Sequence, residues 1–159
     1  MRTVKCAADI PGIPAHAIHA ALISEDVLRT FHGPDTRIGP WVNGTRDMDV
    51  SLDATGSPIP LGPRLWSAVK QSWRPDGVSN RMHLKGSALM SIQSAWTVRD
   101  GHVAAEAHIR VIPPFSWLAE PFVARKASSQ MRAFAELVRS RCVATASSQQ
   151  PPRGHPVDP

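Results

Sequence analysis

The chain has no tyrosine and only two cysteines, Cys6 and Cys142, among 159 residues. Two thiols without CxxC spacing exclude a disulfide scaffold and a thiolate zinc site. Cys6 lies in an alternating apolar segment and reads as a small buried hydrophobe. No apolar run reaches the roughly 18 residues of a membrane-spanning helix. The opening Met1-Arg2-Thr3-Val4-Lys5 lacks the apolar core of a secretory signal. A soluble, intracellular (cytoplasmic) chain is therefore expected, and the Asn43-Gly44-Thr45 sequon reads as a turn. There is no glycine-rich phosphate loop, nucleophile elbow or Cys-His pair.

Acidic residues are scarce, 13 Asp and Glu against 18 Lys and Arg, giving a net charge of +5 and a pI near 10.0. A basic chain favours nucleic acid, anionic lipid or an acidic partner. The cations are scattered, however, and only Arg125, Lys126, Arg132, Arg139 and Arg141 concentrate on one element. Without a basic stripe interleaved with aromatics, nucleic acid is not the expected partner. His16 and His19 stand three apart on a helix with no third ligand at a telling spacing. Neither a metal nor another cofactor is expected. His83, His102 and His108 share the parity of outward-facing strand positions and read as solvated.

What is present is an ordered change of hydrophobic period. With 42% hydrophobic and 19% charged residues, the composition is globular. A chain of this length buries about two-thirds of its unfolded surface. Residues 2–9 alternate, with Val4, Cys6 and Ala8 on one face, and predict a strand. Pro11-Gly12 breaks it, and Pro14 suits the opening of a helix through Leu22. Ser24 is placed to cap a second helix, with Glu25 and Asp26 in its first turn. Gly33-Pro34 stops that helix.

From Thr45 the period is two. Met48, Val50 and Leu52 oppose Asp47, Asp49, Ser51 and Asp53. Residues 54–63 are a proline- and glycine-rich loop that carries Ile59 and Leu61. Strands follow over 64–74 (Leu65, Val69 and Trp73 on one face), 79–85 (Met82, Leu84), 88–99 (Met90, Ile92, Trp96, Val98) and 102–112. Pro75-Asp76-Gly77 and Asp100-Gly101 supply two of the turns. After Pro113-Pro114, Leu118, Phe122, Met131, Phe134, Ala135, Leu137 and Val138 suggest one long helix to about Cys142. Pro121 either kinks it or marks its start. Residues 144–159, rich in Ser, Gln and Pro, predict a disordered tail after a domain spanning 1–143.

A run of strands closed by a helix implies an α+β layer arrangement. This element order resembles the START-like (SRPBCC, helix-grip) superfamily: a curved antiparallel sheet wrapped on a long C-terminal helix. Three local features carry a weaker resemblance to its sterol-binding VASt branch. They are Gly44-Thr45-Arg46, the Leu61-Gly62-Pro63 that precedes Val69-Lys70-Gln71-Ser72-Trp73-Arg74, and Trp96-Thr97-Val98. No Tyr follows the first of these.

The resemblance implies a hydrophobic cavity between sheet and helix, with the 54–63 loop either a lid or an ordinary inter-strand connection. Its expected lining is Met48, Val50, Leu52, Met82, Leu84, Met90, Ile92, Trp96, Phe122, Met131, Phe134 and Val138. The same stripe also suits a solid core. The expected function is binding, or transfer, of a lipid, sterol or other hydrophobic small molecule, without catalysis. Two alternatives stay open: a polyketide-cyclase-like enzyme, for which Arg46, Gln93 and Glu106 are the polar candidates, and an assembly subunit with a filled cavity. Phe115, Trp117 and Leu118 beside Arg125-Lys126 suit either packing of the helix start or peripheral membrane contact.

Overall fold

The computed structural model describes residues 1–51, 66–86, 88–114 and 116–148. Leu52, Leu65, Phe115, the 54–63 loop and residues 149–159 lie outside the described residues. The elements run β1 (Arg2–Asp9), α1 (Ala15–Ile23), α2 (Glu25–His32), β2 (Arg37–Ile38), β3 (Thr45–Ser51), β4 (Trp66–Arg74), β5 (Gly77–Leu84), β6 (Met90–Arg99), β7 (His102–Val111) and α3 (Ser116–Ser148). All seven strands form one antiparallel sheet in the order β1-β7-β6-β5-β4-β3-β2. Among the described residues, only the two-residue β2 went unforeseen, being too short to carry a period.

Local chemistry sets the element ends. Pro14 precedes α1 in an extended conformation. The Ser24 hydroxyl accepts from Val27 N at 3.5 Å, and Gly33, at φ 100°, ends α2. Asn43 (φ 49°) and Gly44 (φ 72°) make a two-residue turn closed by paired bonds between Val42 and Thr45. The sequon is thus a hairpin tip.

Strand parity follows the sequence except at Ser51, expected on the solvated face of β3 but buried. Met48 and Val50 are buried while Asp47 is exposed and Asp49, half-buried, pairs with Lys85 at 2.6 Å. His83 and His108 are exposed on the outer face. His19 departs from the expected exposed helix face. Its Nε2 donates to the Gly77 carbonyl at 2.9 Å, and its ring meets Trp73 edge-on at 5.8 Å, tying α1 to the start of β5.

α3 packs on β1 and β7 and is crossed by α1 and α2. Its buried stripe is Ala124, Ala127, Met131, Phe134, Ala135, Val138 and Cys142. The helix runs through Pro121 and on to Ser148, past the Val143 expected as the end of order. Arg141 pairs with Asp26 at the surface, where α3 meets α2. No helix among the described residues is long and apolar enough to cross a membrane.

Candidate functional site

Helices α1, α2 and α3 and the inner faces of β3 to β7 surround a cavity of about 130 Å³. Its apolar wall comes from Leu22, Leu28 and Phe31 of the short helices, and from Met48, Val69, Val78, Met82, Ile92, Trp96 and Ala107 of the sheet. Ala127, Met131 and Phe134 of α3 complete it. Phe134 is the keystone. Its ring meets Trp96 at 5.2 Å and Phe31 at 5.0 Å, both edge-to-face, so helix, sheet and α2 converge on one side chain.

Of the twelve residues expected to line a cavity, the structure brings six to it: Met48, Met82, Ile92, Trp96, Met131 and Phe134. Val50 and Val138 are buried in solid core beside it. Leu84 is half-buried toward the sheet end, and Met90 packs in a second cluster with Ile109, Val111, Ala124 and Ala127. Phe122 is 58% exposed and does not line the cavity. Nine residues separate it from Met131, about two and a half helical turns, which puts it on the opposite face.

The wall also has polar members that the sequence reading did not single out: His32, Gln71, Asn80, Ser94 and Gln130. His32 Nδ1 and Asn80 Oδ1 are buried without a hydrogen-bond partner among the described residues. Burial pushes the His32 pKa down from 6.5 to about 4, so its ring is neutral at pH 7. The signal for Gln71 and Asn80 was available. Gln71 shares inward parity with Val69, and Asn80 with Val78 and Met82. His32, at the end of a short helix, gave no such signal.

The three polar candidates named for catalysis are elsewhere. Gln93 and Glu106 lie on the outer face of the sheet, in a polar groove with Lys70, Arg81 and His108. Arg46 is buried and held by two hydrogen bonds and a ring: Nε donates to Gln71 Oε1 at 2.8 Å, Nη2 donates to the Ile23 carbonyl at 2.7 Å, and the guanidinium stacks on Trp41. It holds β3, β4 and the end of α1 together rather than facing the cavity.

No protein-family model matches the chain, and no curated protein matches its sequence. Solved structures do match it. The di-domain ARO/CYC StfQ from the steffimycin biosynthetic pathway superposes with a TM-score of 0.71 at 14% identity, over 91% of this chain and 52% of that one. The Zhui aromatase/cyclase from a Streptomyces species superposes with a TM-score of 0.64 at 12% identity, over 97% of this chain and 99% of that one. A START superfamily protein from Mycobacterium smegmatis gives 0.56 at 11% identity, over 90% and 98%. A seven-stranded antiparallel sheet curved around one long C-terminal helix, shared with these proteins, is the START-like helix-grip fold, and that is the fold of this chain.

Proposed function

We propose that the chain binds a hydrophobic small molecule bearing a hydrogen-bonding group, in the cavity between the sheet and α3. The observation that carries this reading is the pairing of an apolar wall with two unsatisfied buried polar atoms, His32 Nδ1 and Asn80 Oδ1. Leaving such atoms unpaired costs about 1–3 kcal/mol each, and a ligand hydroxyl or amide would recover that cost. A volume of about 130 Å³ suits one ring or a short chain. It is well under the roughly 300 Å³ at which pockets for drug-sized ligands begin. A sterol or long acyl lipid would enter by one end, or after Met48, Met82 and Met131 change rotamer, as unbranched thioether side chains do readily.

The test is organic extraction and mass spectrometry of the natively purified protein, followed by titration with phenolic and acyl probes. A recovered apolar compound, or saturable probe binding weakened by Asn80→Ala, supports the reading. An empty protein that binds no probe overturns it and favours an assembly subunit with a filled cavity.

A second reading, a cyclase-like enzyme, draws on His32. Its neutral ring borders the cavity and its Nδ1 has no hydrogen-bond partner among the described residues, as suits a group that takes or orients a proton. The likeness to two proteins called aromatase/cyclase adds to it. A His32→Ala variant that retains ligand but loses turnover would separate catalysis from binding.

A further inference from the structure

The exposed apolar side chains are not spread evenly over the surface. Six of them, Met1, Leu89, Ile112, Trp117, Leu118 and Phe122, gather where β1 begins, β6 begins, β7 ends and α3 starts. Ile112 N donates to the Leu89 carbonyl at 2.9 Å, which joins two of them. The Met1 amine lies 3.2 Å from the Glu120 carboxylate, which also accepts from Val111 N at 3.3 Å. Glu120 thus joins the first turns of α3 to the ends of β1 and β7.

Helix geometry explains why the patch is bare. Leu118, Phe122 and Arg125 recur at spacings of four and three, on the face away from the buried stripe. Trp117 lies nearer the side of that stripe but precedes its first buried residue, Ala124, and is 73% exposed. β7 has already ended at Val111.

We infer that this end of the molecule is a docking surface for an anionic lipid bilayer. Charge selects the occupant. Arg2, Arg110 and Arg125 are exposed around the patch, and the one acid in the first half of α3, Glu120, is held by the N-terminal amine and the Val111 amide. A chain of net charge +5 pairing this face with a second copy would set these cations against each other. A bilayer takes Trp at headgroup depth, apolar side chains below it and arginines beside anionic headgroups. The surface is separate from the cavity wall and does not depend on what the cavity holds.

The experiment is co-sedimentation of the full chain with vesicles of phosphatidylcholine alone and of phosphatidylcholine mixed with phosphatidylserine, at low and high salt. Binding is expected to the mixed vesicles and to weaken with salt. Arg125→Gln should weaken it about fivefold. The double variant Trp117→Ser, Leu118→Ser should weaken it about tenfold or more, since it strips most of the insertable apolar area. These positions are exposed, so circular dichroism should be unchanged. Val143→Ser, exposed at the other end of the same helix, should have no effect. Wild-type protein that ignores phosphatidylserine vesicles at low salt overturns the inference. So does binding that the double variant retains. So does a dimer, seen by sedimentation, that the double variant dissolves.

Discussion

Arg46 and Gln71 sit opposite each other on β3 and β4, and the guanidinium Nε donates to the amide oxygen at 2.8 Å with both side chains almost wholly buried, 3% and 1% exposed. A buried guanidinium is tolerated here because Nη2 also donates, to the Ile23 carbonyl, and its face is covered by Trp41. Arg46→Ala strands two acceptors at once. Each hydrogen bond to a charged group contributes about 1.5–3 kcal/mol, so urea denaturation should show a loss of about 3 kcal/mol or more. Gln71→Leu should cost less alone. A double-mutant cycle should return a coupling of about 1–2 kcal/mol, the scale for two residues sharing one bond.

Gly77 has a φ of 151°, and a Cβ built on it would stand 1.9 Å from the Trp96 carbonyl oxygen. Backbone cannot move aside as a side chain can. Its own carbonyl also accepts from His19. Gly77→Ala should destabilise by more than about 2 kcal/mol and shift α1 amides together with β5 and β6 amides in an NMR spectrum. A small, local change would show that the turn relaxes independently of α1.

Two groups should make the fold acid-sensitive in separate windows. His32 has its folded pKa pushed down to about 4 by burial, from 6.5. Between those values the unfolded chain takes up a proton that the folded one refuses, so stability falls as pH drops from 6.5 toward 4. The full effect is about 3 kcal/mol. Glu120 has its folded pKa lowered, first by the Val111 amide and then by the N-terminal ammonium. Its stabilising contribution is present above the usual carboxylate pKa of about 4.3 and is lost as pH falls through the lower folded value. His32→Leu should flatten the upper window of a stability–pH curve, and Glu120→Gln only the lower. An unchanged curve in His32→Leu would show that the imidazole is not desolvated in solution.

Phe134 distinguishes a pocket from a solid core. Phe134→Asp should abolish binding of an apolar probe, because a carboxylate among Trp96, Phe31 and Met131 costs several kcal/mol unless neutralised. Since a buried charge also works against folding, Phe134→Trp is the companion. The larger ring should enter the cavity space, block the probe and leave the melting temperature near that of the wild type. A loss of about 1–3 kcal/mol, the usual cost of overpacking, would mean that the cavity has no room to give.

Element order and the facing of the strands are legible in the residues alone. Period-two alternation decides which side chains share a face, and Ser24, Gly33, Asn43-Gly44 and Asp100-Gly101 decide where elements start and turn, because caps and positive φ angles are local requirements. Depth comes from packing. Val50 and Met48 share a face of β3, yet only Met48 reaches the cavity, because depth along a strand depends on what distant parts of the chain pack over each position. Arg46 shares that face as well, and only its meeting with Gln71, Ile23 and Trp41 makes it a clamp. His32 and Asn80 became notable only when packing left each with an unpaired atom. Pairing is a property of neighbours distant in the chain, and no local pattern encodes it.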